Sequence, residues 1–139
     1  MKILEILTPK RIVGNIGERA AAKYLRRKHY KILKMNFVGD GHEIDIIAKK
    51  DGITVFVEVK TRTLGHVNPK EPRPASSVTP EKQRSIISAA RVYLSLSHSE
   101  GKKRFDIIEV YLKEDKKKVA DIRHLENTFN TNSAYQRHR

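Results

Sequence analysis

The sequence predicts an α/β domain with its elements in the order α-β-β-β-α-β-β. Three observations predict it. Two segments, 14–28 and 80–97, repeat apolar residues at helical spacing, while several others alternate apolar and polar side chains with β-branched and aromatic content. Asp51-Gly52 is a strong two-residue hairpin signal between two of the alternating segments. At 139 residues the chain suits one domain and is too short for two.

The first helix runs from about Gly14 to Lys28. Ala20, Tyr24, Ala21, Leu25 and Ala22 make its apolar arc, with Arg19, Lys23, Arg26 and Arg27 opposite. Glu18 falls inside that arc. Two readings are open for it: a site residue, because a buried acid is costly unless paired or bound to metal, or a first-turn glutamate favoured by the helix dipole.

Residues 30–37 make a first strand, the Gly39-Asp40-Gly41 turn follows, and a hairpin occupies 42–60, HEIDIIAKKDGITVFVEVK. If Asp51 and Gly52 alone form the loop, Lys50 pairs with Ile53, Asp45 lies opposite Glu58, and Glu43 lies opposite Lys60. Side chains two apart share a face, so all four project together. Opposed carboxylates repel, with Cβ atoms ~4.5–5.5 Å apart, and a sheet has no structural reason to choose that pair. A hard divalent cation supplies one, because Mg²⁺ is commonly held by one or two carboxylates plus substrate phosphates. A four-residue loop at 49–52 would set Glu58 opposite Glu43 with Asp45 diagonal to it, and the cluster survives. A solvated polar face on an edge hairpin is the bland alternative.

The stretch 63–78 holds Gly65, Pro69, Pro72 and Pro74 without periodicity and reads as a mobile loop leaving directly from the Lys60 strand. Thr79-Pro80-Glu81 starts the second helix, which runs to about Ser97. Tyr93, Ile86, Ala90, Leu94 and Ile87 form its arc, and Gln83 falls at the centre, either bonding toward the site or capping nearby backbone. Residues 104–112 form a strand, 113–118 a charged turn, and 119–122 a short last strand. The domain therefore spans 1–122, and 123–139 reads as a polar, flexible tail in which His124 and His138 are solvated.

Composition bounds function. There are no cysteines, so disulfides and thiolate metal sites are excluded. Glu5 interrupts the apolar start MKILEIL, no small-residue cleavage site follows, and no run approaches the ~20 residues of a membrane span. A cytoplasmic protein without membrane association is the expectation. The net charge is +13, from 29 Lys and Arg against 16 Asp and Glu, and the pI is about 10.1. A polyanionic partner follows: nucleic acid first, an anionic membrane surface second, ribosome association third. An acidic pocket within a basic surface is the layout a phosphodiester-cleaving enzyme needs.

The element order, with D-x(12)-E-x-K across the hairpin, resembles the restriction-endonuclease-like nucleases and their PD-(D/E)xK pattern. Asp45, Glu58 and Lys60 match it, with Ile44 in place of the proline. The chain is more closely similar to the YraN-like predicted endonucleases, relatives of the Holliday-junction resolvases. That likeness rests on GNIGERAAAKYL at 14–25, EIDIIA at 43–48, VFVEVKTR at 55–62, KQ at 82–83 and RFDII at 104–108, and covers about 12–112. His42 departs from a position where glycine is frequent. The resemblance implies a three-layer core, a mixed central sheet flanked by helices, and a Mg²⁺- or Mn²⁺-dependent endonuclease acting on DNA, branched or single-stranded. It implies a cation on Asp45, Glu58 and the Val59 carbonyl, with Glu43 or Glu18 completing the shell or holding a second metal, Lys60 orienting water or holding phosphate, and Gln83 positioning the lysine or the attacking water. Junction-cutting relatives work as dimers, so a homodimer is an expectation. Two other functions are weighed against this one: a nucleic-acid-binding module with the fold but little cleavage, and a basic accessory protein for a protein or membrane partner.

Overall fold

The computed structural model describes residues 9–65 and 78–131. Helix α1 (Pro9–Arg27) is followed by strands β1 (Lys31–Gly39), β2 (His42–Lys50) and β3 (Ile53–Thr63), helix α2 (Pro80–Leu96), and strands β4 (Lys103–Leu112) and β5 (Val119–Phe129). The strands form one five-stranded sheet in chain order. Neighbours are antiparallel except β3 and β4, which are parallel. The tight turns permit only antiparallel pairing, whereas the long connection through α2 lets the chain re-enter the sheet in the same direction. The order α-β-β-β-α-β-β and the mixed sheet are those expected.

One helix covers each face. Ala21, Ala22 and Leu25 of α1 pack with Ile46, Ala48, Val55, Val57, Ile108, Val110 and Leu112. Ile86, Ile87, Ala89 and Ala90 of α2 pack with Ile44, Ile47, Phe56, Phe105 and Ile107 on the other. Each fully buried valine, leucine, isoleucine or phenylalanine among them contributes about 1.5–3 kcal/mol. The result is the α/β/α sandwich of a restriction-endonuclease-like fold.

Two details fix α1. An ideal Cβ on Gly17 would lie 1.9 Å from Thr61 Oγ1, so the helix reaches β3 only because residue 17 has no side chain. At its far end a buried network ties it to β4 and β5. Asp106, 1% exposed, takes a two-pronged bond from Arg104 at 2.9 Å on each oxygen. Its Oδ2 also lies 2.7 Å from His124 Nε2. His124 Nδ1 meets the Tyr24 hydroxyl at 3.3 Å, and Arg104 donates to the Tyr30 hydroxyl at 2.6 Å.

Two boundaries differ from expectation. Helix α1 begins at Pro9 and not near Gly14, which places Glu18 well inside it. Strand β5 continues to Phe129, so residues 123–129, assigned to the tail, belong to the sheet. Its edge position leaves much of it exposed, and the polar run there suits such a strand. His124 is accordingly not solvated: its side chain is 6% exposed. The proposed loop at 63–78 lies largely, and His138 entirely, outside the described residues. Among the described residues no helix is long and apolar enough to cross a membrane.

Candidate functional site

The two-residue turn sets the hairpin register as expected. Lys50 pairs with Ile53, and the pairing continues to Ile46 opposite Val57. There it stops. The Val59 N–H donates at 2.7 Å to Asp45 Oδ2, a side chain standing where a ladder would offer a carbonyl. Ile44 packs in the α2 core and Ile46 in the α1 core. The alternation of β2 therefore breaks at Asp45. Strand β1 breaks opposite it: Phe37 and Met35 divide between the two cores in the same way, and Asn36 between them has φ 52°. Positive φ is uncommon outside glycine, and asparagine is among the residues that tolerate it.

This double break opens the sheet where the acids gather. Glu18 is brought over it from α1 by the Gly17 approach, and Asn36 hydrogen-bonds to its carboxylate. Burial, reinforced by the charges of Asp45 and Glu43, pushes Glu18 up to about 7. Asp45 is pushed up to about 7, by burial first and the Glu58 charge second, against the opposing Val59 bond. Burial also raises Glu58, although Lys82 and Lys60 pull it down. Its two oxygens lie 3.8 Å from Lys60 Nζ and 4.0 Å from Lys82 Nζ.

The expected residues divide accordingly. Glu18, Asp45, Glu58 and Lys60 come together. Helix α1 begins nine residues before Glu18, which removes the first-turn reading of that residue. Glu43 is exposed and acts through its charge on the other three; the face shared by all four hairpin residues does not form, because β2 changes face at Asp45. Gln83 is 9% exposed and donates to the Val78 carbonyl at 3.0 Å. That is its backbone-capping reading. The lysine before it, Lys82, is the α2 residue that reaches Glu58. Helix phase alone put Gln83 at the arc centre and gave no weight to Lys82, whose length carries its charge across from a more exposed position. Asn36 left no sequence signal beyond its tolerance of positive φ.

Among the described residues no three acidic or histidine side chains form a ready metal cage. The donor set still fits a hard divalent ion of the kind that relies on two carboxylates and completes its shell with water and phosphate. Asp45 and Glu58 are oxygen donors, both raised chiefly by burial.

A two-helix α/β sandwich with a broken hairpin carrying Asp45, Glu58 and Lys60 is a restriction-endonuclease-like domain. Comparison with known sequences narrows it further. The model of the uncharacterised protein family UPF0102 matches residues 17–110, and the chain belongs to that family, the YraN-like group of the resemblance. It is 43% identical over 121 residues to the UPF0102 protein TTE1452 of Caldanaerobacter subterraneus, covering 86% of this chain and 96% of that one. A UPF0102 protein of Geobacter metallireducens is 42% identical over 118 residues, 84% of this chain and 91% of its own. One from Chlorobaculum parvum is 44% identical over 124 residues, with 84% and 91% covered.

Proposed function

We propose that this domain is a metal-dependent endonuclease that hydrolyses phosphodiester bonds in DNA, with branched and single-stranded structures as its first candidate substrates. The observation that carries the reading is the pair Asp45 and Glu58, both raised first by burial and then by neighbouring acids, Glu58 acting on Asp45 and Glu43 and Glu18 on Glu58, beside the ammonium groups of Lys60 and Lys82. A pure binder has no use for two acids gathered in this way.

Asp45 and Glu58 would hold Mg²⁺ or Mn²⁺, with the Val59 backbone beside them. When bound, the ion supplies charge neutralisation at the scissile phosphate and lowers the pKa of water. The chain's own residues do the rest. The Val59 N–H fixes the Asp45 carboxylate, so one donor is oriented before any ligand arrives. Lys60, its ammonium 3.8 Å from Glu58, acts as an orienting charge for water or phosphate. Lys82, at the start of α2 and 4.0 Å from Glu58, would leave that carboxylate to hold a phosphate oxygen. The surplus of positive charge outside the acidic break supplies affinity for the backbone.

The test is incubation of pure protein with Mg²⁺ or Mn²⁺ and a panel of branched, flapped, single-stranded and duplex DNAs, with Asp45→Asn as control. Cleavage lost in that variant supports the reading. Tight binding in Ca²⁺ without cleavage in any metal would leave the nucleic-acid-binding alternative.

A further inference from the structure

Glu109 of β4 is 0% exposed. The Tyr111 hydroxyl donates to its Oε2 at 2.8 Å, but Oε1 is buried with no hydrogen-bond partner among the described residues. A desolvated carboxylate with an unanswered oxygen is among the costliest groups a core can hold. The parallel pairing of β3 and β4 sets Lys60 beside Glu109. Paired residues share a face, and adjacent strands lie ~4.8 Å apart, within reach of a lysine side chain. The Lys60 ammonium nevertheless lies by Glu58, at 3.8 Å. One cation stands between two carboxylates and serves one of them.

We propose that Glu109 is a positioning residue, a second seat for Lys60: the ammonium pairs with Glu58 in the cation-free protein and turns to Glu109 once Glu58 is engaged by a divalent ion. The proposal rests on the reading of Asp45 and Glu58 as cation ligands. It accounts for an acid buried on the neighbouring strand with no hydrogen-bonding partner for one oxygen. It also explains how Lys60 stays in the site without repelling the incoming ion. Its charge is held one strand away, while Tyr111 keeps the Glu109 carboxylate oriented.

A metal-free thermodynamic cycle tests the pairing, with Glu109→Gln chosen because it keeps an acceptor for Tyr111. In the parent protein, where Lys60 pairs with Glu58, this substitution leaves the melting temperature unchanged or raised. In a Glu58→Gln background, which frees Lys60, it lowers the melting temperature by ~3 °C or more. Equal shifts in both backgrounds would overturn the proposal. Calorimetric titration with Mn²⁺ supplies the second arm. Glu109→Gln weakens binding by about five-fold or more, and the loss disappears when Lys60→Met is also present. A loss that persists without Lys60 would likewise overturn the coupling. Absence of Mn²⁺ binding in the parent would strike the cation reading alone, leaving the Lys60–Glu109 pairing to the metal-free cycle.

Discussion

Asp45 accepts the Val59 N–H at 2.7 Å, so the acid assigned to the cation also finishes the β2–β3 ladder. The two roles separate by substitution. Asp45→Asn keeps an oxygen for Val59 and removes the charge; its melting temperature in the absence of metal rises, and Mn²⁺ binding by calorimetry vanishes. Asp45→Ala loses binding too, but strands a buried donor at about 1–3 kcal/mol, so its melting temperature falls below that of Asp45→Asn. Unchanged Mn²⁺ affinity in either variant would remove Asp45 from the site.

Stability without metal should fall as pH rises. Asp45 goes from 3.8 unfolded to about 7 folded, and Glu18 from 4.5 to about 7. Between those values the folded chain keeps protons that the unfolded chain has released, so each step up in pH through the window removes stability. Urea unfolding from about pH 5 to pH 8 checks this, and Asp45→Asn should flatten the slope. Asp106 works in the opposite sense: burial would raise it, but bonds from His124, Arg104 and Asn127 hold it below 3.8. Its contribution is lost only as pH drops through that low value. Protons compete with a cation for the same acids, so apparent Mn²⁺ affinity should climb with pH through the same window.

Lys60→Ala should leave cation binding largely intact and remove turnover, because its ammonium serves water or phosphate. Single-turnover cleavage of bound substrate reads this directly; a parental rate would make the lysine structural. Lys82→Ala, also beside Glu58, should chiefly weaken substrate binding.

Gly17→Ala puts a methyl 1.9 Å from Thr61 Oγ1 and should cost about 1–3 kcal/mol, the usual range for overpacking. Thr61→Ala should recover part of it. Because Glu18 follows Gly17, the variant should also weaken Mn²⁺ binding beyond what its stability loss explains, measured well below its melting temperature.

Binding to DNA in Ca²⁺ should follow salt. With a net charge of +13, a footprint of ~5–8 phosphates gives a log–log slope of about −4 to −7. A slope near zero would assign the basic surface to another kind of partner.

What could be read from the chain alone was local. The Asp51-Gly52 turn set the hairpin register, because a two-residue loop permits only one pairing. Helical periodicity found the buried faces of α1 and α2, and the Thr79-Pro80 start placed the second helix. The last strand was cut short at 122 because an edge strand buries too little to impose alternation, so 123–129 read as tail. Helix phase left Gln83 between the site and the backbone, because it reports a side chain's direction but not the carbonyl of Val78 that its nitrogen meets.

The sequence by itself determined the class of fold and the presence of Asp45, Glu58 and Lys60 on one hairpin, since both follow from spacing and turn chemistry within short stretches. Only the tertiary structure decided how those residues meet. The face change at Asn36 and Asp45, the approach of Glu18 past Gly17, the reach of Lys82 to Glu58 and the placement of Glu109 beside Lys60 all join residues distant in the chain. Such contacts depend on which strands become neighbours and how closely helices pack on them, and no periodicity within one segment records that.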